Sequence, residues 1–335
     1  MRALVVKMSS LGDVVHTLPA ITDAASMVPG ISFDWVVEEA FAEIPAWHPA
    51  VDNVIPVALR RWRKRPLRDF RGPEWRRFRA SLRREPYDAV IDAQGLLKSA
   101  FIARLVPAPR YGMDRRSARE GLAAAAYQHR FKVPREMHAV ERTRRLFASA
   151  LRYRVSPGPG DYGLAALAGS LSRQKSPTLL FIHGTAGPEK LWPMEHWRAL
   201  AKRASADGYR VWLPWGDETE QARASEIADA LTGVEVLPRL NLTQLAARLC
   251  EVRAAVAVDT GLGHLAAALA VPTVSLYGPT RIPLVGTYGR HQLQLKSPAA
   301  DSLRTPGGAK MAAISPETVW NGLVQLTAEE GMTCD

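Results

Sequence analysis

The sequence predicts an α/β protein built from two doubly wound domains, and three observations carry that reading. Short apolar runs alternate along the chain with longer segments of helical periodicity, the pattern of parallel sheets covered on both faces. These runs fall into two series separated by one Pro/Gly/Ser-rich stretch, residues 156–177, which opens SPGPGDYG and closes SRQKSP. The length of 335 residues, 47% hydrophobic, is enough for about two cores at roughly 150 residues per domain.

The first series of expected strands is Arg2 to Met8, Ser32 to Glu38, Asn53 to Val57, Asp88 to Ala93 and a weaker Arg110 to Gly112. The second is Thr178 to His183, Tyr209 to Trp215, Val234 to Leu237, Ala254 to Asp259 and Thr273 to Tyr277. Domains are therefore expected over 1–160 and 175–314, facing across a cleft that would hold the ligand. A last helix, 315–328, begins with Ser315 as N-cap, Pro316 at the first turn and Glu317 behind it, and is long enough to pack back on the first domain.

Two cysteines, Cys250 and Cys334, make no disulfide framework and have no histidine at metal-ligand spacing. No apolar run approaches the roughly 18 residues that span a bilayer, and the N-terminus lacks a signal-peptide pattern. A cytoplasmic protein is expected. The formal charge of +11 predicts an anionic partner. Much of that excess lies in residues 60–84, where twelve Lys/Arg and two acids interleave with Trp62, Phe70, Trp75 and Phe78. Such a run is either a solvated face or a sticky surface for nucleic acid, membrane or phosphorylated substrate.

Ligands of doubly wound sheets bind beyond the carboxyl ends of the strands, so the loops there matter most. The first carries Ser9, Ser10, Gly12 and Asp13. Small residues let backbone approach a ligand, while an acid in a first helical turn can also serve only the helix dipole. The second, HGTAGPEK over 183–190, offers glycines, Thr185 and Lys190 to a phosphate, or is a plain surface turn. It lacks Walker A spacing. The third ends in Glu220, suited to ribose hydroxyls or to capping. The fourth, DTGLGHLA over 259–266, follows an apolar strand and opens a helix, so unpaired N–H groups and the positive helix end meet an anion, with His264 either on a phosphate oxygen or only capping the helix. A nicotinamide site is disfavoured, because no acid ends the next strand, which runs into Tyr277, Gly278, Pro279 and Thr280. HExxH, CxxC, GxSxG and Asp-x-Asp patterns are absent.

Taken together, KMSSLGDVVHTLPA (7–20), KLWP (190–193), LPWG (213–216), VDTGLGH (258–264) and YGPT (277–280) resemble the heptosyltransferases of glycosyltransferase family 9, over nearly the whole chain. The opening motif is most similar to the branch of that family that adds the first heptose of the lipopolysaccharide inner core. The resemblance implies a GT-B fold of two Rossmann-like domains, ADP-L-glycero-D-manno-heptose as donor and Kdo2-lipid A as acceptor. It also implies inverting transfer without metal or cofactor at the inner face of the inner membrane, and no nucleic-acid partner.

Position by position, Asp13 matches the family's catalytic base. Thr185 and Lys190 match phosphate contacts, Glu220 a ribose contact, and Asp259, Thr260, Gly261 and His264 the rest of the donor site. Ala186 and Gly187 depart from relatives with two adjacent hydroxyl residues, which shifts phosphate binding toward backbone N–H groups and Lys190. Arg60, Arg61, Arg63 and Lys64 are then expected on the acceptor and the anionic leaflet, with Trp62 and Trp75 at headgroup level.

Overall fold

The computed structural model describes residues 1–171, 176–302 and 305–332, so Cys334 lies outside the described residues. The chain divides into two compact units, Met1–Leu164 and Ala165–Asp335.

In the first unit, β1 (Arg2–Val6), β2 (Ser32–Glu38), β3 (Val51–Val57), β4 (Ala89–Asp92), β5 (Arg110–Met113) and β6 (His129–Phe131) form one sheet in the order β3-β2-β1-β4-β5-β6. Every pairing is parallel, with Val5 of β1 between Trp35 of β2 and Ile91 of β4. β1 is central, and Ala3, Leu4, Val5 and Val6 are all fully buried, which is why its sequence is a continuous apolar run. The strand β6 was not expected from the sequence.

The proline- and glycine-rich stretch after the helix Ala139–Leu151 is not loose where it begins. Arg144 of that helix, buried beside Asp23 at 2.7 Å, donates to the Ser156 carbonyl at 2.8 Å and the Gly158 carbonyl at 2.9 Å. Gly160 then passes so close to Pro19 that a Cβ there would stand 2.7 Å from the ring.

In the second unit, β7 (Ser176–Ile182), β8 (Arg210–Leu213), β9 (Val234–Val236), β10 (Val252–Val258), β11 (Thr273–Tyr277) and β12 (Gln292–Lys296) repeat the same arrangement as β12-β11-β10-β7-β8-β9, again parallel throughout. The small residues of β10 admit a helix closely. A Cβ on Gly263 would meet the Ala257 Cβ at 3.2 Å. Local signals fix the helix starts: the Asp217 carboxylate accepts the Glu220 N–H at 2.9 Å, and the Asn241 side chain accepts the Gln244 N–H at 2.8 Å.

The last helix, Pro316–Met332, is capped by Ser315 as expected, its hydroxyl accepting the Thr318 N–H at 3.1 Å. Val319, Trp320, Leu323 and Leu326 on this helix are buried in the core of the second unit, against the helix Met194–Ala206 and β10, β11 and β12. These four side chains are thus used within the second unit, a packing that the sequence did not indicate. No described helix is long and apolar enough to cross a membrane.

Candidate functional site

Each sheet reverses its strand order once, between β1 and β4 in the first unit and between β7 and β10 in the second. Adjacent loops leave such a point in opposite directions and open a crevice for a ligand. Asp13 lies at the first of these points, and Thr185, Lys190 and Asp259 lie at the second.

In the first unit the loop after β1 presents Asp13 in the short helix Leu11–Val15. Its Oδ2 accepts from the Ser10 N–H at 2.9 Å and the Ser10 hydroxyl at 3.1 Å, and its Oδ1 lies 3.4 Å from the Lys7 ammonium. Arg119 stands 3.8 Å away. Burial pushes the Asp13 carboxyl up, but Lys7, the Ser10 N–H, Arg119 and the Ser10 hydroxyl together outweigh it and hold the group below the usual aspartate value. The carboxylate keeps about a quarter of its side chain exposed, at 27%, so a substrate hydroxyl can reach it.

The loop after β4 supplies a brace that the sequence reading passed over. The Gln94 amide accepts from the Met8 N–H at 2.8 Å and donates to the Ser9 carbonyl at 2.8 Å, and Lys98 donates to the Ser9 hydroxyl at 3.1 Å. Lys7 reaches across to the Ala93 carbonyl at 3.1 Å. Under this loop, buried Asp92 accepts from Tyr127 at 2.7 Å and from the N–H groups of Gln94 and Gly95 at 2.9 and 3.1 Å. Burial raises the Asp92 carboxyl against those bonds. The signal was available, since Asp92, Gln94 and Lys98 end a strand and begin a helix as the chosen loops do.

In the second unit all seven expected donor residues come together. Thr185, after β7, donates its hydroxyl to the Asp259 carbonyl at 2.8 Å, and Lys190 meets the Asp259 carboxylate at 2.8 Å. Thr280, quoted in a motif but not chosen as a site residue, also donates to Asp259. Thr260 caps the helix Gly261–Ala268 in an extended conformation without closing its N-terminus by a side-chain bond, and His264 is buried on that helix. Glu220 accepts the Gly216 N–H at 2.7 Å and presses on Gly184, where a Cβ would fall 2.2 Å from its carboxylate. That approach requires glycine at 184. Among the described residues no three His, Cys, Asp or Glu side chains gather as a metal-ligand group.

The basic segment departs from expectation. Trp62, Trp75 and Phe78 are buried, at 3%, 7% and 5% exposed, in edge-to-face and tilted contacts with each other and Phe70. The Trp62 indole N–H is held by Glu74 at 3.0 Å. These rings form the core beneath the arginines, so neither tryptophan is available at headgroup level; burial of their apolar area outweighs what an interfacial position would offer. Arg61 is engaged by Glu39 at 3.1 Å and Glu74 at 2.8 Å, and these partners raise its pKa. Arg60 lies over the Phe41 ring at 5.3 Å, while Arg63 and Lys64 are exposed.

A parallel α/β unit with an aspartate held after its first strand, and a second in which an ammonium, hydroxyls and an open helix N-terminus meet at the ends of β7, β10 and β11, define a glycosyltransferase of the GT-B class. Residues 75–305 match the model of glycosyltransferase family 9 (heptosyltransferase), and the chain belongs to that family. It is 55% identical to lipopolysaccharide heptosyltransferase 1 of Pseudomonas aeruginosa over 91% of this chain and 86% of the relative. It is 46% identical to the Escherichia coli K12 protein of the same name over 94% of this chain and 99% of that one. Among solved structures, E. coli heptosyltransferase WaaC with ADP superposes at a TM-score of 0.91 and 44% identity, covering 97% of this chain and all of the other. The same enzyme with ADP-2-deoxy-2-fluoro heptose gives 0.87 and 43%, over 97% of this chain and 99% of that one.

Proposed function

We propose that this chain transfers L-glycero-D-manno-heptose, with inversion, from ADP-heptose to a Kdo hydroxyl of Kdo2-lipid A in the lipopolysaccharide inner core, at the cytoplasmic face of the inner membrane. The observation that carries this reading is the meeting of Thr185, Lys190 and Asp259 at the switch point of the second sheet, in a chain that aligns over 97% of its length with a heptosyltransferase holding an ADP-heptose analogue.

The chemistry follows from the residues. The acceptor oxygen bonds to the anomeric carbon as the bond from that carbon to the phosphate oxygen breaks, and ADP leaves with the electron pair. Asp13 takes the hydroxyl proton. Held below its usual pKa, it is ionised and weakly basic, which suits a late proton transfer to an acceptor that becomes acidic as the new bond forms. The leaving group needs no general acid, only charge stabilisation, and Lys190, the Thr185 hydroxyl and the N–H groups at Thr260 and Gly261 supply it. Glu220 takes the ribose hydroxyls. No metal is required in this scheme, so EDTA should leave turnover intact. Arg60, Arg63 and Lys64 attract acceptor phosphates and carboxylates and the anionic leaflet.

Mass-spectrometric analysis of product from ADP-heptose and deacylated Kdo2-lipid A tests the reading. A product heavier by one heptose supports it. Absence of that product, or turnover that needs added Mg²⁺ after chelation, refutes the donor–acceptor pair or the charge assignment respectively.

A further inference from the structure

Seven large apolar side chains are left exposed among the described residues, and three of them belong to one neighbourhood of the first unit. Leu97, at 51% exposed, and Phe101, at 50%, are four residues apart on the helix Leu97–Arg104 and so share a face. Leu122, at 67%, is carried by the 3₁₀ turn Gly121–Ala126, whose Ala123 and Ala124 pack against Ala100 of that helix. The Leu97 N–H donates to the Glu120 carboxylate at 2.6 Å, which ties helix and turn together. Phe101 stacks nearly parallel on buried Trp75, at 6.1 Å and 7°, so its inner face is supported and its outer face is left to the surroundings. Isolated exposed leucines are ordinary; a fixed group of three is not.

Cations surround this ridge. Arg104 follows Phe101 by one turn and is exposed, as are Arg116 and Arg119 before the turn. Lys98 lies between Leu97 and Phe101 in sequence. Burial holds its ammonium below the usual range; Glu38 opposes this, and the charges of Arg60, Arg63 and Arg119 add to it.

We propose that Leu97, Phe101 and Leu122 form a membrane-inserting ridge, whose arginine rim engages the headgroups of an anionic bilayer. A protein partner is the weaker fit, since specific protein interfaces bury more than about 1,000 Å² and three projecting side chains supply far less apolar surface. A bilayer accepts a few inserted side chains and adds charge attraction for each basic residue at its surface. The inference deepens the proposed function, resting on its lipid-anchored acceptor, and moves the apolar anchor from Trp62 and Trp75 to a different helix.

The test is co-flotation of the full chain with vesicles of phosphatidylglycerol and phosphatidylethanolamine. Leu97→Ser/Leu122→Ser should lower the partition coefficient about tenfold or more, with thermal stability and turnover on deacylated acceptor unchanged. A second readout does not depend on that variant. With Cys334→Ser as background, an environment-sensitive dye on Leu122→Cys should shift to the blue and be quenched by spin-labelled lipid, whereas the same dye on Met27→Cys, exposed elsewhere on the unit, should not. Equal vesicle binding by the serine variant, or a dye at 122 that stays aqueous while the protein floats, overturns the proposal. Failure of turnover on the deacylated acceptor would instead strike the proposed function, and the vesicle result would still be read.

Discussion

Lys190 and Asp259 form an ion pair at 2.8 Å that joins the loop after β7 to the end of β10, with the carboxylate only 9% exposed and the ammonium 31%. The cation assigned to the donor phosphates is therefore held in place by an acid that would repel those phosphates if left alone.

Lys190→Ala is accordingly expected to harm donor binding twice, by removing a positive charge and by uncovering Asp259. Removing one partner of a buried pair typically costs about 3–5 kcal/mol, and this pair, with its ammonium partly exposed, should fall below that range. Calorimetry should show ADP binding weakened by at least about tenfold, with Lys190→Ala/Asp259→Asn binding ADP better than Lys190→Ala alone. A double variant no better than the single one would show that Asp259 does not oppose the phosphates.

Asp13→Ala should lower kcat by about 10²–10⁴, the usual range for loss of a general base, while ADP affinity stays near wild type. Every Asp13 partner named above lies within the first unit, and the ADP contacts are assigned to the second. Turnover within a few-fold of wild type would reduce Asp13 to a partner of the helix dipole.

Lys7→Gln removes the largest of the effects that lower the Asp13 pKa and leaves its burial. The carboxyl should then rise, and the acidic limb of kcat/KM on the deacylated acceptor should move to higher pH. In the unaltered protein the sign is that of a depressed carboxyl: its stabilisation is present above the unfolded aspartate pKa and is lost as pH falls through the lower folded value. An acidic limb that stays in place would mean that another group sets it.

Gly184→Ala should imitate Glu220→Ala. The new Cβ would overlap the Glu220 carboxylate at 2.2 Å, and a flexible side chain yields before backbone does. Donor KM is expected to rise about tenfold in both variants, the scale of one good hydrogen bond to a charged group, with the melting temperature little changed. A strongly destabilised Gly184→Ala would show that the backbone at 184 cannot accept a side chain.

His48 should make the fold sensitive to acid. Burial lowers its pKa to about 4 against the opposing charge of Asp161. Its Nδ1 accepts the Ala50 N–H at 3.1 Å, so Nε2 carries the proton and donates to Thr22 at 2.9 Å. Between the unfolded histidine value, about 6.5, and the folded one, the unfolded chain takes up a proton that the folded chain refuses, so stability falls as pH falls across that window, by up to about 3 kcal/mol. His48→Gln should flatten the dependence of melting temperature on pH over that range. An unchanged slope would assign the effect to His183, which burial also lowers to about 4.

The strand series and the four loops were legible because continuous apolar runs and strand-end glycines report backbone position directly, whereas the role expected of Asp13 came from the family resemblance and not from its spacing. β12 was missed although Gln292–Lys296 alternates polar and apolar as a half-buried edge strand does, and β6 has only three residues to betray it. Gln94 escaped notice because an amide has no chemistry of its own to advertise; its importance lies in which carbonyl and N–H it meets. Trp62 and Trp75 were misplaced for the opposite reason. Twelve cations in 25 residues mask a buried aromatic set, and local sequence does not say which side of a basic helix finds a core.

The two sheets share one strand order. The brace of the base runs from Lys7 to Tyr127, and the donor network from Gly184 to Thr280. Under the roles proposed for these residues, acceptor activation and sugar-nucleotide choice are written in separate stretches of the gene. Substitution or recombination in the later stretch can alter donor preference while the proton-accepting apparatus is inherited intact, a route by which one ancestral transferase can give rise to many.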